Sequence, residues 1–210
     1  KAHWQTPISF EEIMNERLIS YPITRPMCAP IGDGAAAAII VSDKFLAKMT
    51  GANPIRIRAM AHTSGHAKKT FEESLDIAER LSTVAYEKAG LGPEDIQIAE
   101  VHDASAYGEI HQVEALGFTP EGMGGAFIDS GKSAIDGELP INTSGGLISR
   151  GHPVGASGLA QIYELVTQMR GQAGDRQVPK DINVALAENG GGILTLEEAS
   201  MTISILEKVS

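Results

Sequence analysis

Thiols, positive charge and long apolar runs are what this sequence has least of. Its 210 residues contain one cysteine, Cys28, so no disulfide can close within the chain and no thiolate cluster can hold a metal. That fits a reducing compartment, and a cytoplasmic location is expected. Lys and Arg number 17 against 27 Asp and Glu, a formal net charge of −10, which argues against the basic patch that nucleic-acid binding requires. No run of about 18 apolar residues appears, so no membrane span is expected, and no signal-peptide pattern opens the chain. The first residue is Lys, not Met, which reads as a fragment, a processed product or a chain with more before it. The length suits one or two domains with a sizeable core.

Hydrophobic periodicity orders what is there. Ser9 and Glu12 form a capping box for a short helix in "ISFEEIMNERLIS". "GDGAAAAIIVSDKFL" (32–46) reads as a Gly-rich turn leading into a buried strand. "NPIRIRAMAHTSG" predicts a strand over 55–62. Thr70 and Glu73 predict the start of a long helix, with Phe71, Leu75, Ala78, Leu81 and Ala85 on its buried face and Gly90 and Pro93 at its end. A strand over 96–105 and a helix over about 105–116 follow, then a long connection, 119–140. Leu159, Ile162, Tyr163 and Val166 give a later helix an apolar face. Strands over 181–192 and 201–209 complete the pattern. Such alternation predicts an α/β layered domain with a largely parallel sheet.

In open α/β sheets, ligands gather beyond the strand ends. Three loops there are unusual: His102-Asp103-Ala104-Ser105, Gly151-His152-Pro153 and Asn189-Gly190-Gly191-Gly192. The stretch "INTSGGLISRGHPVGASGLAQIYEL" (141–165) puts five glycines around His152. Glycine lets backbone approach a ligand without a Cβ in the way. His152 precedes a proline, so its backbone is pushed toward extended geometry. A helix starts just beyond, with free N–H groups at its positive end. An imidazole in such a setting suits a developing oxyanion or enolate. Turn-forming glycines and structural histidines explain the same features without chemistry, and His3, His62, His66 and His111 are read that way. No zinc-ligand spacing joins His102, His111 and His152, and neither GxGxxG nor a P-loop is present where a nucleotide site needs it.

Taken together these motifs resemble the thiolase superfamily. "GGLISRGHPVGASGLAQIYELVTQMRGQAG" is similar to the thiolase GGxxxxGHPxGASG segment and its following helix. "EVHDAS" resembles the HDxF signature of the sterol-carrier-type and archaeal-type members. "CAPIGDGAAAAIIVS" looks like the last strand region of the N-terminal thiolase domain. The resemblance runs from about residue 8 to the C-terminus.

It implies a layered αβαβα fold, of which this chain carries mainly the C-terminal βαβαβ half. Residues 1–50 would be the end of the N-terminal domain and 51–210 the C-terminal domain. It implies C–C cleavage or Claisen condensation of a 3-oxoacyl-CoA, with a nucleophilic cysteine on the N-terminal half. His152 would activate that cysteine and line an oxyanion hole; His102 would hold the thioester oxygen or its water. Asn189 and Gly191 stand where many members have a CxG cysteine, and Gly191 would offer a backbone N–H to an oxyanion. Ala104 and Ser105 replace the cysteine and phenylalanine of an HDCF motif. Met60, Ala61, His62 and Ser64 fall where the family binds pantetheine, although Ala59 replaces a serine common there. Coenzyme A would be substrate, with no other cofactor and no metal. A homodimer or tetramer and a small zinc-ribbon/OB-fold partner subunit are implied. Two alternatives stay open: a retro-aldolase cleaving a 3-hydroxyacyl-CoA, and a non-catalytic subunit of this fold.

Overall fold

The computed structural model describes residues 2–71 and 74–209. Its centre is a four-stranded sheet of β3 (Ile55–Ser64), β4 (Ile98–Glu100), β5 (Val184–Gly191) and β6 (Ser200–Lys208), in the order β3-β6-β5-β4. Before it lie α1 (Phe10–Asn15), the short antiparallel pair β1 (Leu18–Ser20) and β2 (Ile23–Thr24), and α2 (Asp43–Leu46). Ser9 and Glu12 make the expected box at the start of α1.

Helices cover both faces of the sheet. On one, α3 (Ile77–Ala89), α4 (Ala106–Ala115) and α5 (Gly124–Asp129) close a core around Leu81, Val113, Leu116, Leu186 and Ile203. On the other, α7 (Ser157–Met169) packs Leu165 and Met169 against Ile98, Ala185 and Leu206. The result is an α/β fold of three layers.

The sheet is less parallel than the sequence pattern predicts. β3, β4 and β5 run in one direction, but β6 enters antiparallel between β3 and β5. Only β4 and β5 form a parallel ladder, joined at its edge by the bridge Ala99–Ile141. The cause is local: β5 and β6 follow each other through a short connection, which favours antiparallel return. β4 is also shorter than 96–105. Beyond Glu100 its amides turn to side chains: Val101 N–H donates to Asn142 Oδ1 at 2.9 Å and His102 N–H to Glu188 Oε2 at 2.8 Å.

Three further expectations are corrected. The run 32–46 is no strand: Ile39 and Ile40 are 92% and 77% exposed, because no described sheet lies alongside them. Helix α3 begins later than Thr70, and Glu73 lies outside the described residues. Asp76 caps it, accepting from Ala78 N–H at 2.8 Å, while Glu79 accepts from Asp76 N–H at 2.9 Å. Lys68 Nζ takes the carbonyls of Ser74 and Leu75, keeping them out of the helix. Phe71 and Leu75 are therefore exposed, while Ala78, Leu81 and Ala85 are buried as predicted. Finally, α7 turns polar residues inward. Gln161, Glu164 and Gln168 are buried and Leu159 and Tyr163 exposed, while Ile162 and Val166 pack against the core as expected. Each inward side chain makes at least one hydrogen bond; Gln161 Nε2 donates to the Glu188 carbonyl at 2.9 Å and Gln168 Nε2 to the Arg176 carbonyl at 2.7 Å, while Gln161 Oε1 is buried without a partner.

Among the described residues, no helix is long and apolar enough to cross a membrane.

Candidate active site

Because β3, β4 and β5 share a direction, their carboxyl ends lie on one edge of the sheet. β4 delivers His102 and Asp103, and β5 delivers Asn189, Gly190 and Gly191. The segment after Ile141 runs through α6 (Gly146–Arg150) to His152. The imidazoles of His102 and His152, fifty residues apart in sequence, meet edge to face, with ring centroids 5.1 Å apart and planes at 87°.

Each ring is held by its Nδ1. Asn189 Nδ2 donates to His102 Nδ1 at 2.9 Å, which leaves the proton of the neutral ring on Nε2. His152 Nδ1 lies 2.8 Å from the hydroxyl of Ser157, a fully buried residue at the start of α7. Nε2 is thus the uncommitted nitrogen of both rings. Burial first, and the neighbouring His152 second, push the His102 imidazolium down to about 4. Burial and the Arg150 guanidinium lower His152 as well. Both rings are therefore neutral near pH 7.

The loops that carry these rings are fixed through their backbones. The Asp103 carboxylate accepts from the amides of Leu147, at 2.6 Å, and Ile148, at 3.4 Å, at the start of α6. Burial pushes that carboxyl up to about 7, against the pull of the Leu147 amide. Gly146 makes the approach possible. Its φ is +57°, and a Cβ there would stand 2.2 Å from Asp103 Oδ2. Gly158 plays a like part under Asn189, whose Oδ1 would be 3.0 Å from an added Cβ.

A remote segment ties the two loops together. Cys28 bridges to Ser105, and Ala29 N–H donates to the Ala104 carbonyl at 3.0 Å. One step on, His152 N–H donates to the Pro30 carbonyl at 2.8 Å, and Ile31 bridges to His152. Cys28 itself is half-buried, its thiol directed to the Thr24 carbonyl at 3.8 Å.

The structure brings His102, His152 and Asn189 together, with Asn189 placed through its side chain against the His102 ring and not through its backbone. Gly191 sits at the open end of β5, in one rung with Ser200 and Ser64. Met60, Ala61, His62 and Ser64 do not share one surface. They alternate along β3, with Ala61 buried in the core and Met60, His62 and Ser64 exposed; His62 Nε2 pairs with Ser200 Oγ at 2.8 Å. Sequence reasoning did not find Ser157, Glu188 or the strap at 28–32. Ser157, five residues after His152 in "GHPVGAS", was legible as a hydroxyl close to the ring; the other two depend on long-range pairing. Among the described residues, no group of three His, Cys, Asp or Glu side chains is arranged to hold a metal ion.

Replacing Asn189 with leucine should remove the donor that fixes the His102 tautomer. Imidazole ¹⁵N spectra should show Nε2–H in the parent protein and a mixture of tautomers in N189L. A parent spectrum dominated by Nδ1–H would contradict the hydrogen bond.

Comparison with known proteins matches residues 59–208 to the family described as thiolase C-terminal domain-like. The chain is 42% identical to sterol carrier protein 2 of Rattus norvegicus over 93% of this chain and 38% of that protein. It is 37% identical to an acetyl-CoA acetyltransferase of Methanothermobacter thermautotrophicus over 91% of this chain and 50% of that one. Among solved structures it resembles an Ltp2-ChsH2(DUF35) aldolase, with a TM-score of 0.78 and 27% identity, over 98% of this chain and 52% of that one. The chain thus spans half the length, or less, of the curated relatives it matches.

Proposed function

Because this chain belongs to the family of thiolase C-terminal domains, we infer that its two imidazoles serve acyl transfer at carbon on a 3-oxoacyl-CoA. The observation that carries the reading is the complementary pair: two neutral rings in contact, each anchored through Nδ1 and each with Nε2 free. In this reading His152 gives its Nδ1–H to Ser157, so its Nε2 presents a lone pair. His102, acceptor from Asn189, presents an N–H. One ring can take a proton while the other stabilises an oxyanion.

In the cleavage direction, His152 takes the proton of a cysteine thiol supplied by residues outside this chain. The thiolate attacks the 3-carbonyl carbon, and the C2–C3 bond breaks. The acyl group stays on sulfur, and the other fragment leaves as the enolate of a CoA thioester, its oxygen facing His102 Nε2–H. The imidazolium of His152 returns the proton to the enolate carbon. The thiol of a second CoA then displaces the acyl group, freeing the cysteine. Neither Ala104 nor Asn189-Gly190-Gly191 supplies a second thiol, so His152 is the proton carrier for both halves of the cycle. Self-association and a small partner subunit belong to the same reading, supported by the two-component name of the similar aldolase.

A second reading, retro-aldol cleavage of a 3-hydroxyacyl-CoA, is favoured by that structural likeness and by the missing second thiol. There, a base removes the 3-hydroxyl proton, the C2–C3 bond breaks to give a carbonyl product, and the CoA enolate is protonated, with no acyl-enzyme. One experiment separates the two. The complete assembly is given acetoacetyl-CoA with free CoA, and a 3-hydroxyacyl-CoA without it. Acyl transfer predicts consumption of the first only, dependent on free CoA. Turnover of the second alone would establish the aldolase, and turnover of neither a non-catalytic subunit.

A further inference from the structure

Glu188 is a fully buried acid beside His102 that the chemistry above does not use. It projects from β5 on the face opposite Asn189, toward the core shared with α3 and α4. The β4–β5 ladder ends at the pair Glu100–Ala187. Past that rung the strands part, and the Glu188 carboxyl fills the gap, its Oε2 accepting from His102 N–H at 2.8 Å. Two consecutive residues of β5 thus hold His102: Glu188 by its backbone, Asn189 by its ring. Behind Glu188, Gln161 Nε2 caps its carbonyl at 2.9 Å.

We propose that Glu188 is a positioning residue for His102 and that it works as an uncharged carboxylic acid. A buried carboxylate needs donors on both oxygens or a cation beside it. Here Oε1 is buried with no partner. The charged groups that face it are acids: Glu198 from the β5–β6 connection, Asp76 from the cap of α3 and Asp103 from the loop after β4. The His111 imidazole of α4 turns to Asp76, at 3.5 Å, and Glu109 of α4 accepts from Asn142 at 3.0 Å. Burial, reinforced by those acids, pushes the carboxyl up to about 8. Ionisation would place a negative charge next to the ring that must face an oxyanion, so it opposes the reaction.

This rests on the role given to His102, so H102A is the reference. In the complete assembly, E188Q keeps the acceptor for His102 N–H without a titrating proton, whereas E188L removes the acceptor. At pH 7, E188Q should keep kcat within about threefold of the parent. E188L should lose about tenfold or more in kcat, the scale of one buried hydrogen bond to a reacting group, with KM little changed. Above pH 8 the parent should lose activity about tenfold per pH unit, and E188Q should not. Stability gives a second readout should E188L fail to fold. The folded chain keeps this proton, while an unfolded glutamate releases it near 4.5. The parent therefore loses stability as pH rises from about 4.5 toward 8, and E188Q should lose less over that range. Equal activity of E188L and the parent, or an alkaline fall unchanged in E188Q, overturns the proposal. If H102A is itself fully active, the function assigned to His102 fails instead.

Discussion

Replacing His152 with alanine should lower kcat of the complete assembly by about 10²–10⁴-fold, the usual contribution of a positioned general base. KM should change little, since no binding contact is assigned to the ring. The expectation follows from the free Nε2, the Ser157 anchor at 2.8 Å and contact with His102 at 5.1 Å. The pH profile adds a sign. Burial and Arg150 lower the His152 imidazolium, so the neutral base dominates from below the ordinary value of 6.5. Activity should rise with pH through a midpoint under 6.5 in the parent, and that limb should vanish in H152A. A loss of less than about tenfold would remove His152 from proton transfer.

Gly146→Ala should be strongly damaging to the fold at the site. The residue holds φ at +57°, which costs a side chain about 1–2 kcal/mol. The added Cβ would also sit 2.2 Å from Asp103 Oδ2, so the carboxylate must leave the amides of Leu147 and Ile148. Each such hydrogen bond is worth about 0.5–1.5 kcal/mol with the carboxyl protonated and about 1.5–3 kcal/mol with it ionised. A combined loss of about 3–5 kcal/mol is expected in urea unfolding, with activity reduced even where the protein folds, because Asp103 adjoins His102. Gly155→Ala is the matched control. It lies in the same segment with open space around its Cβ position, and should shift stability by less than about 0.5 kcal/mol.

Much of this architecture was legible in the residues. The Ser9–Glu12 box, the stop at Gly90, and the existence of strands just before His102 and through Asn189 follow from local chemistry and appear in the structure, although the first of those strands stops at Glu100. His102 and His152 were singled out from their loops alone. What was hidden has a common cause: it depends on partners far along the chain. The apolar run at 35–41 carries strand composition, yet no described strand pairs with it. Two capping boxes competed for α3; Asp76–Glu79 prevailed because Lys68 claims the carbonyls of Ser74 and Leu75. In α7 the helical period is intact and Ile162 and Val166 pack on the core, but polar residues partnered by Arg176 and Glu188 take the interior beside them and leave Leu159 and Tyr163 exposed.

The family match begins at residue 59, yet the hydrogen bonds of residues 28–32 reach both Ala104 and His152. The stretch that the family model matches and the unit that keeps the two imidazoles in register are therefore not the same length of polypeptide. A piece cut at the start of that matched stretch would carry both imidazoles and lack the stitch that ties their loops together.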